Sequence, residues 1–179
     1  MVIDSESGNT IADIPGQKRA HGVAIVPQAG RGFISDGGGD GAVMIFDLKT
    51  NAALGTIAAQ PDADGIIFDP ASGRLFSAGG NGKLAVIDVK TGKVVGAADV
   101  TEKVDQIAFD PSTRRIYCAG PNQMSVLQET AGGAAPLGSV KTAATAKNVT
   151  VDPKTHAVWT TYTDGVNSYA QSWVVPGPR

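Results

Sequence analysis

A chain of 179 residues, 42% of them apolar, can bury one core of domain size, and its 23 glycines and 10 prolines favour a turn-rich structure. The net charge of −2, with basic neighbours only at Lys18-Arg19 and Arg114-Arg115, offers no surface for a polyanion, so nucleic acid is not an expected partner. No apolar run is long enough to span a membrane as a helix, and the single cysteine, Cys118, cannot form an intramolecular disulfide.

The chain opens on Met1-Val2-Ile3-Asp4, which lacks the basic flank and long apolar core of a signal peptide and reads as the end of a strand. An apolar stretch at residues 10–14 follows. The first full unit predicts strands at residues 23–26, 32–35, 42–46 and 53–57. The second predicts 66–68, 75–78, 84–87 and 94–97, and the third 107–109, 116–119, 124–127 and 137–140. A last unit predicts 149–151, 157–161 and 172–175. No segment carries a sustained 3.6-residue apolar stripe, so almost no helix is expected.

These units are copies of one pattern. Pro27, Pro70, Pro111 and Pro153 follow the first strands at steps of 43, 41 and 42, and an aromatic stands six residues after each: Phe33, Phe76, Tyr117 and Trp159. The residues ending the third strands, Asp4, Asp47, Asp88 and Gln128, repeat at steps of 43, 41 and 40. Asp-Pro-x-Ser/Thr turns recur at Asp69-Pro70-Ala71-Ser72, Asp110-Pro111-Ser112-Thr113 and Asp152-Pro153-Lys154-Thr155. Proline presets φ, and the Asp and Ser/Thr side chains accept nearby amides, so turn-making accounts for the series of acids better than metal binding does.

Four antiparallel strands per unit of about 42 residues is the signature of an all-β fold, a β-propeller of four-stranded blades with about four repeats. The single domain divides into a half blade at 1–15, blades at 16–59, 60–100 and 101–141, and an incomplete blade at 142–179. Starting and stopping in a third strand, the chain reads as a partial propeller: a fragment, a truncated reading frame or a chain that pairs with another copy through its incomplete terminal blades. A closed four-bladed ring is an alternative, with residues 2–14 completing the last blade and residues 172–175 left over.

Gly73-Arg74-Leu75-Phe76, followed by Leu84-Ala85-Val86-Ile87-Asp88 and Thr91-Gly92-Lys93-Val94-Val95, resembles the YVTN-type β-propeller repeat. The tetrad that names the family falls at Phe33-Ile34-Ser35-Asp36 and is degenerate at Phe76-Ser77-Ala78-Gly79, Tyr117-Cys118-Ala119-Gly120 and Trp159-Thr160-Thr161-Tyr162. The resemblance covers nearly the whole chain and extends to bacterial YncE-like proteins. It implies a periplasmic or secreted full-length protein, and a fold whose relatives leave redox chemistry to cofactors held elsewhere.

Six residues before each repeat proline stand His21, Asp64, Asp105 and Lys147, equivalent positions expected to form an arc at the mouth of the channel. One His and two carboxylates, His21, Asp64 and Asp105, would suit a divalent cation; no other cofactor is predicted. The loops between second and third strands add Asp36, Asp40 and Asn81 to the same face, with Asn122, Asp164 and Asn167 further round. His156 lies in a turn on the opposite face and is expected in solvent. No nucleophile motif, haem-attachment motif or zinc-protease motif is present. The favoured reading is a non-catalytic binding module for an unidentified small molecule or protein. The alternatives are a lactonase-like hydrolase using the rim, with or without a metal, and a scaffold that pairs through exposed blade edges.

Overall fold

The computed structural model describes residues 1–38 and 41–174. A two-stranded hairpin, β1 (Val2–Ile3) and β2 (Thr10–Ala12), comes first. Two four-stranded antiparallel sheets follow: β3 (Ala20–Val26), β4 (Arg31–Asp36), β5 (Ala42–Asp47) and β6 (Ala53–Ala58), then β7 (Ala63–Asp69), β8 (Arg74–Gly79), β9 (Lys83–Asp88) and β10 (Lys93–Asp99). The third comprises β11 (Gln106–Asp110), β12 (Arg115–Gly120), β13 (Gln123–Thr130) and β14 (Gly133–Lys141). A three-stranded sheet, β15 (Thr150–Val151), β16 (Ala157–Thr163) and β17 (Ser168–Val174), ends the described chain. Each sheet is a simple meander, and one 3-10 turn at Pro27–Ala29 is the only helical element among the described residues.

This is the all-β, partly open propeller that the repeat predicts. Two expectations need correction. β17 begins at Ser168, four residues before the strand expected at 172–175, because the turn at Asp164–Asn167 closes the hairpin early; Val175 lies outside the described residues. The closed four-bladed alternative does not form: β1 and β2 pair with each other, and β17 pairs with β16. Residues 2–14 therefore do not complete the last blade.

The turn aspartates behave as the sequence chemistry requires. Asp47 Oδ1 accepts the Lys49 and Thr50 amides at 2.9 and 2.7 Å and the Thr50 hydroxyl at 3.0 Å, and Asn51 closes the turn at φ 59°. Asp88 accepts the Thr91 amide and hydroxyl at 2.7 Å each, with Gly92 at φ 66°.

Neighbouring blades bury one core per seam. Phe33, Val43 and Ile57 of the first full blade pack on Leu75, Ile87 and Val89 of the second. Phe76, Leu84 and Val86 of the second meet Ile107, Ile116 and Cys118 of the third. Tyr117, Met124 and Val126 meet Val149 and Val158 of the last. Apolar residues on both strand parities thus cover both faces of each inner sheet. The outermost strands of the opening hairpin and of the three four-stranded sheets are pushed out of register by one residue, and the extra residue there is Ile11, Leu54, Val95 or Leu137. All four side chains face solvent.

Candidate functional site

A second irregularity, on the innermost strands, builds a mouth at the inner edge of the arc of blades. β3 slips register between Ala20 and Val23, and β7 slips at the equivalent place between Ala63 and Ile66. Each bulge holds one extra residue, and bulges re-aim side chains. The residues re-aimed are His21-Gly22 and Asp64-Gly65. Glycine suits both second positions, because a Cβ on Gly22 would sit 3.0 Å from Ile66 and one on Gly65 would sit 3.0 Å from Ile107, tighter than ordinary contact. In the third blade Asp105 precedes β11 and is held by its amide, which donates to the Ala119 carbonyl at 3.1 Å. Lys147 reaches the same level from the loop before β15.

His21, Asp64 and Asp105 therefore line one cavity of about 400 Å³, with Gln106 and Asn148 beside them. Lys147 joins them in the adjoining depression, which also takes in Arg19, Asp62 and Lys103. His21 Nε2 lies 3.0 Å from Asp64 Oδ1, and Lys147 Nζ lies 3.2 Å from Asp105 Oδ2. The Asp64 carboxylate is buried, yet its Oδ1 makes no hydrogen bond. Burial pushes the Asp64 carboxyl up; His21 and Arg19 pull it down and Asp105 adds to the rise, leaving it above the usual range. Among the described residues no group of three or more His, Cys, Asp or Glu side chains is gathered tightly enough to hold a metal ion. Of the three cation candidates, His21 and Asp64 come together, and Asp105 is engaged by Lys147.

A second ring of charge escaped the sequence reading. Arg19 Nη2 pairs with Asp62 across the seam and lies 3.8 Å from Asp64 Oδ1, while its Nε donates to His21 Nε2 at 3.0 Å. Arg19, Asp62 and Lys103 are equivalent positions, eight residues before Pro27, Pro70 and Pro111. The alignment that finds His21, Asp64 and Asp105 finds them too, two residues earlier. His21 Nε2 is thus approached by a donor from Arg19 and by the Asp64 carboxylate at once, so the position of one proton between His21 and Asp64 sets the hydrogen bonding of all three groups.

The loop residues fare differently. Asp36 is buried and accepts the Lys18, Arg19 and Gly38 amides at 2.9, 2.6 and 3.1 Å. Burial pushes its carboxyl up, but those amides outweigh it and hold the group below its usual range. It staples the loop that carries Arg19 and His21, and is a support for the mouth. Asn81 is exposed, accepts the Lys83 amide at 3.2 Å, and lines neither part of the mouth. Asp164 closes the β16–β17 turn, where the Asn167 amide and the Tyr169 hydroxyl hold its carboxyl down at about 2. Asp40 lies outside the described residues.

On the opposite face His156 is not simply solvated. Its Nδ1 lies 3.0 Å from Oδ2 of buried Asp110 in the preceding blade. Arg114, the equivalent residue one blade earlier, reaches back in the same way to Asp69 at 3.0 Å, and to Glu129 of its own blade at 2.5 Å. These are latches across the seams. Cys118 is buried between the second and third blades, and burial pushes its thiol up, which removes it as a nucleophile.

No family model matches the chain, and no curated protein matches it in sequence. Solved structures do. A chain of hydrazine synthase from Kuenenia stuttgartiensis superposes with a TM-score of 0.75 at 16% identity, over 93% of this chain and 48% of that one. A chain of the mitotic checkpoint complex superposes with a TM-score of 0.79 at 17% identity, over 94% of this chain and 53% of that one. The fold is that of a β-propeller. At such identities the likeness carries the propeller and nothing of activity, and the chain spans about half the length of the propeller chains it matches.

Proposed function

We propose that this propeller is a non-catalytic binding module of the YVTN type, and that its channel mouth takes a small ligand bearing a protonated amine. The observation that carries the reading is Asp64 Oδ1, a buried carboxylate oxygen without a hydrogen bond, lining a cavity of about 400 Å³. A buried acceptor left unmade costs about 1–3 kcal/mol, so a ligand that supplies the donor recovers that amount. Lys147–Asp105 and Arg19–Asp62 are paired through full charges, whereas His21 Nε2, 3.0 Å from Asp64 Oδ1, accepts from Arg19 and then has no proton to give the carboxylate, which makes the Asp64–His21 edge the receptive side.

Thermal shift and calorimetry with small primary amines and amino acids test this, with Ca²⁺ and Zn²⁺ each tried alone. An amine is expected to raise the melting temperature of the natural protein and to leave Asp64→Asn unmoved. Absence of any amine response in the natural protein overturns the reading. A response to a divalent ion alone, lost in Asp64→Asn, replaces it with a cation site. The likeness of the repeat to YVTN-type propellers supports a periplasmic or secreted full-length protein. Fusion of the natural gene product to alkaline phosphatase is expected to give active phosphatase, and an inactive fusion counts against that location.

A further inference from the structure

On the face opposite the mouth, seams between blades are closed by side chains from one turn position, three residues after the repeat proline. Arg114 closes the seam between the second and third full blades by reaching Asp69 at 3.0 Å, and His156 closes the next by reaching Asp110 at 3.0 Å. The seam between the first and second full blades has neither partner. Gly73 stands where Arg114 and His156 stand, and Val26 stands where Asp69 and Asp110 stand. The backbone there is unchanged. Gly73 keeps the left-handed φ, at 69°, and its carbonyl accepts the Val89 amide at 3.1 Å, as the Arg114 carbonyl accepts the Glu129 amide at 2.9 Å. Only the side chains are missing, and a Cβ on Gly73 would meet nothing within 4 Å.

A cavity of about 510 Å³ occupies this seam. Val26, Phe68 and Val89 form its apolar wall, and Arg31 and Lys90 its charged one. Asp88 is the one acid among the lining residues, and its Oδ1 is committed to the Thr91 amide and hydroxyl at 2.7 Å each. Arg31 is uncommitted. Its equivalent Arg74, four residues after the next repeat proline, donates to the Thr130 and Ala131 carbonyls of the following blade at 2.6 Å. Among the described residues the Arg31 guanidinium has no hydrogen bond or ion pair, although it is part-buried. A guanidinium fork matches a carboxylate through two parallel hydrogen bonds. We propose that this cavity is a second binding site, for a small organic carboxylate with an apolar body. The body lies on Val26, Phe68 and Val89, in the space that a latch side chain fills elsewhere. The carboxylate meets Arg31, and Lys90 adds positive charge at the rim. The site stands between two complete four-stranded blades and shares no lining residue with the mouth, so it is independent of the amine site.

Calorimetry on the natural protein with benzoate, phenylacetate, benzyl alcohol and inorganic phosphate tests this. The two carboxylates are expected to bind, and the alcohol and the phosphate to give no heat of binding. None of these probes carries an amine, so the outcome is read apart from that at the mouth. Arg31→Gln is expected to weaken carboxylate binding about tenfold, the worth of one charge-assisted contact, with unchanged circular dichroism. Val26→Asp combined with Gly73→Arg rebuilds in this seam the latch of the next one, and is expected to abolish binding. If that double variant does not fold, Arg31→Gln alone decides. Failure of both carboxylates to bind the natural protein overturns the proposal. So does equal binding of benzyl alcohol, which leaves an apolar cleft only, or of phosphate, which leaves a patch of charge only. Carboxylate binding that Arg31→Gln leaves unchanged lies elsewhere on the molecule and overturns it as well.

Discussion

Asp64 carries a charge that its surroundings only half support. Its folded carboxyl titrates above the ordinary value of 3.8, first because of burial. The folded state therefore holds a proton that the unfolded chain has already lost, and stability falls as pH rises from 3.8 through the folded value. Asp64→Asn is expected to remove that fall and to raise stability at neutral pH by ~1 kcal/mol, since a buried charge whose desolvation the neighbouring cations only partly offset is replaced by a neutral amide. Urea denaturation of both proteins across that window reads the difference directly. A second residue-scale cost lies on the opposite face, where Gly30, Gly73, Arg114 and His156 share one turn position at φ 62°, 69°, 55° and 58°. Glycine adopts this conformation freely, whereas a Cβ there costs ~1 kcal/mol. The last two blades accept the strain and use the side chain to latch the blade before. His156→Gly should therefore be more stable than His156→Ala by ~1 kcal/mol in the same denaturation experiment, both lacking the latch and only one keeping the strain.

At the scale of elements, the latches tie one Asp-Pro turn to the next. Arg114 holds the buried carboxylates of Asp69 and Glu129, while Arg74 donates to the Thr130 and Ala131 carbonyls at 2.6 Å. Arg114 is part-exposed, which screens the pair, so Arg114→Ala is expected to cost ~2 kcal/mol, less than a fully buried pair would. Asp110 shows the opposite pH behaviour to Asp64. Burial pushes it up, but the Thr113 hydroxyl, the Ser112 amide and His156 more than offset this, and its carboxyl titrates below 3.8. Its stabilisation is present above 3.8 and lost as pH falls through the folded value, so Asp110→Asn should flatten the acid limb of the stability curve. The strands and turns were legible in the sequence because a period of about 42 fixes them several times over. The latches were not, because the turn position shows only Gly, Gly, Arg and His, with no sign that a left-handed backbone aims the last two at an aspartate 45 or 46 residues earlier. The rim was half legible. Register alone placed His21, Asp64 and Asp105 on one cavity, but loop charges such as Arg19 and Asp62 obey no apolar periodicity and passed for solvated side chains.

Across the whole molecule, identical repeat positions are not energetically identical, because each blade depends on the neighbours that cover it. Phe76 lies in the seam between the second and third blades with its ring 5.7 Å from that of Phe109, and nothing of it reaches solvent. Truncation there leaves a cavity between two sheets that are themselves pinned by further blades and cannot collapse into it. Phe76→Ala is therefore expected to cost ~3–5 kcal/mol. Trp159 holds the same place on the last blade but has a neighbour on one side only, through the sheet it shares with Trp173 and Val158. Its truncation removes packing that is already half exposed and opens no enclosed void, so Trp159→Ala should cost ~1 kcal/mol in the single chain. Equal losses at the two positions would mean that each blade is stabilised from within, and stacking along the arc would then not be what holds this propeller together.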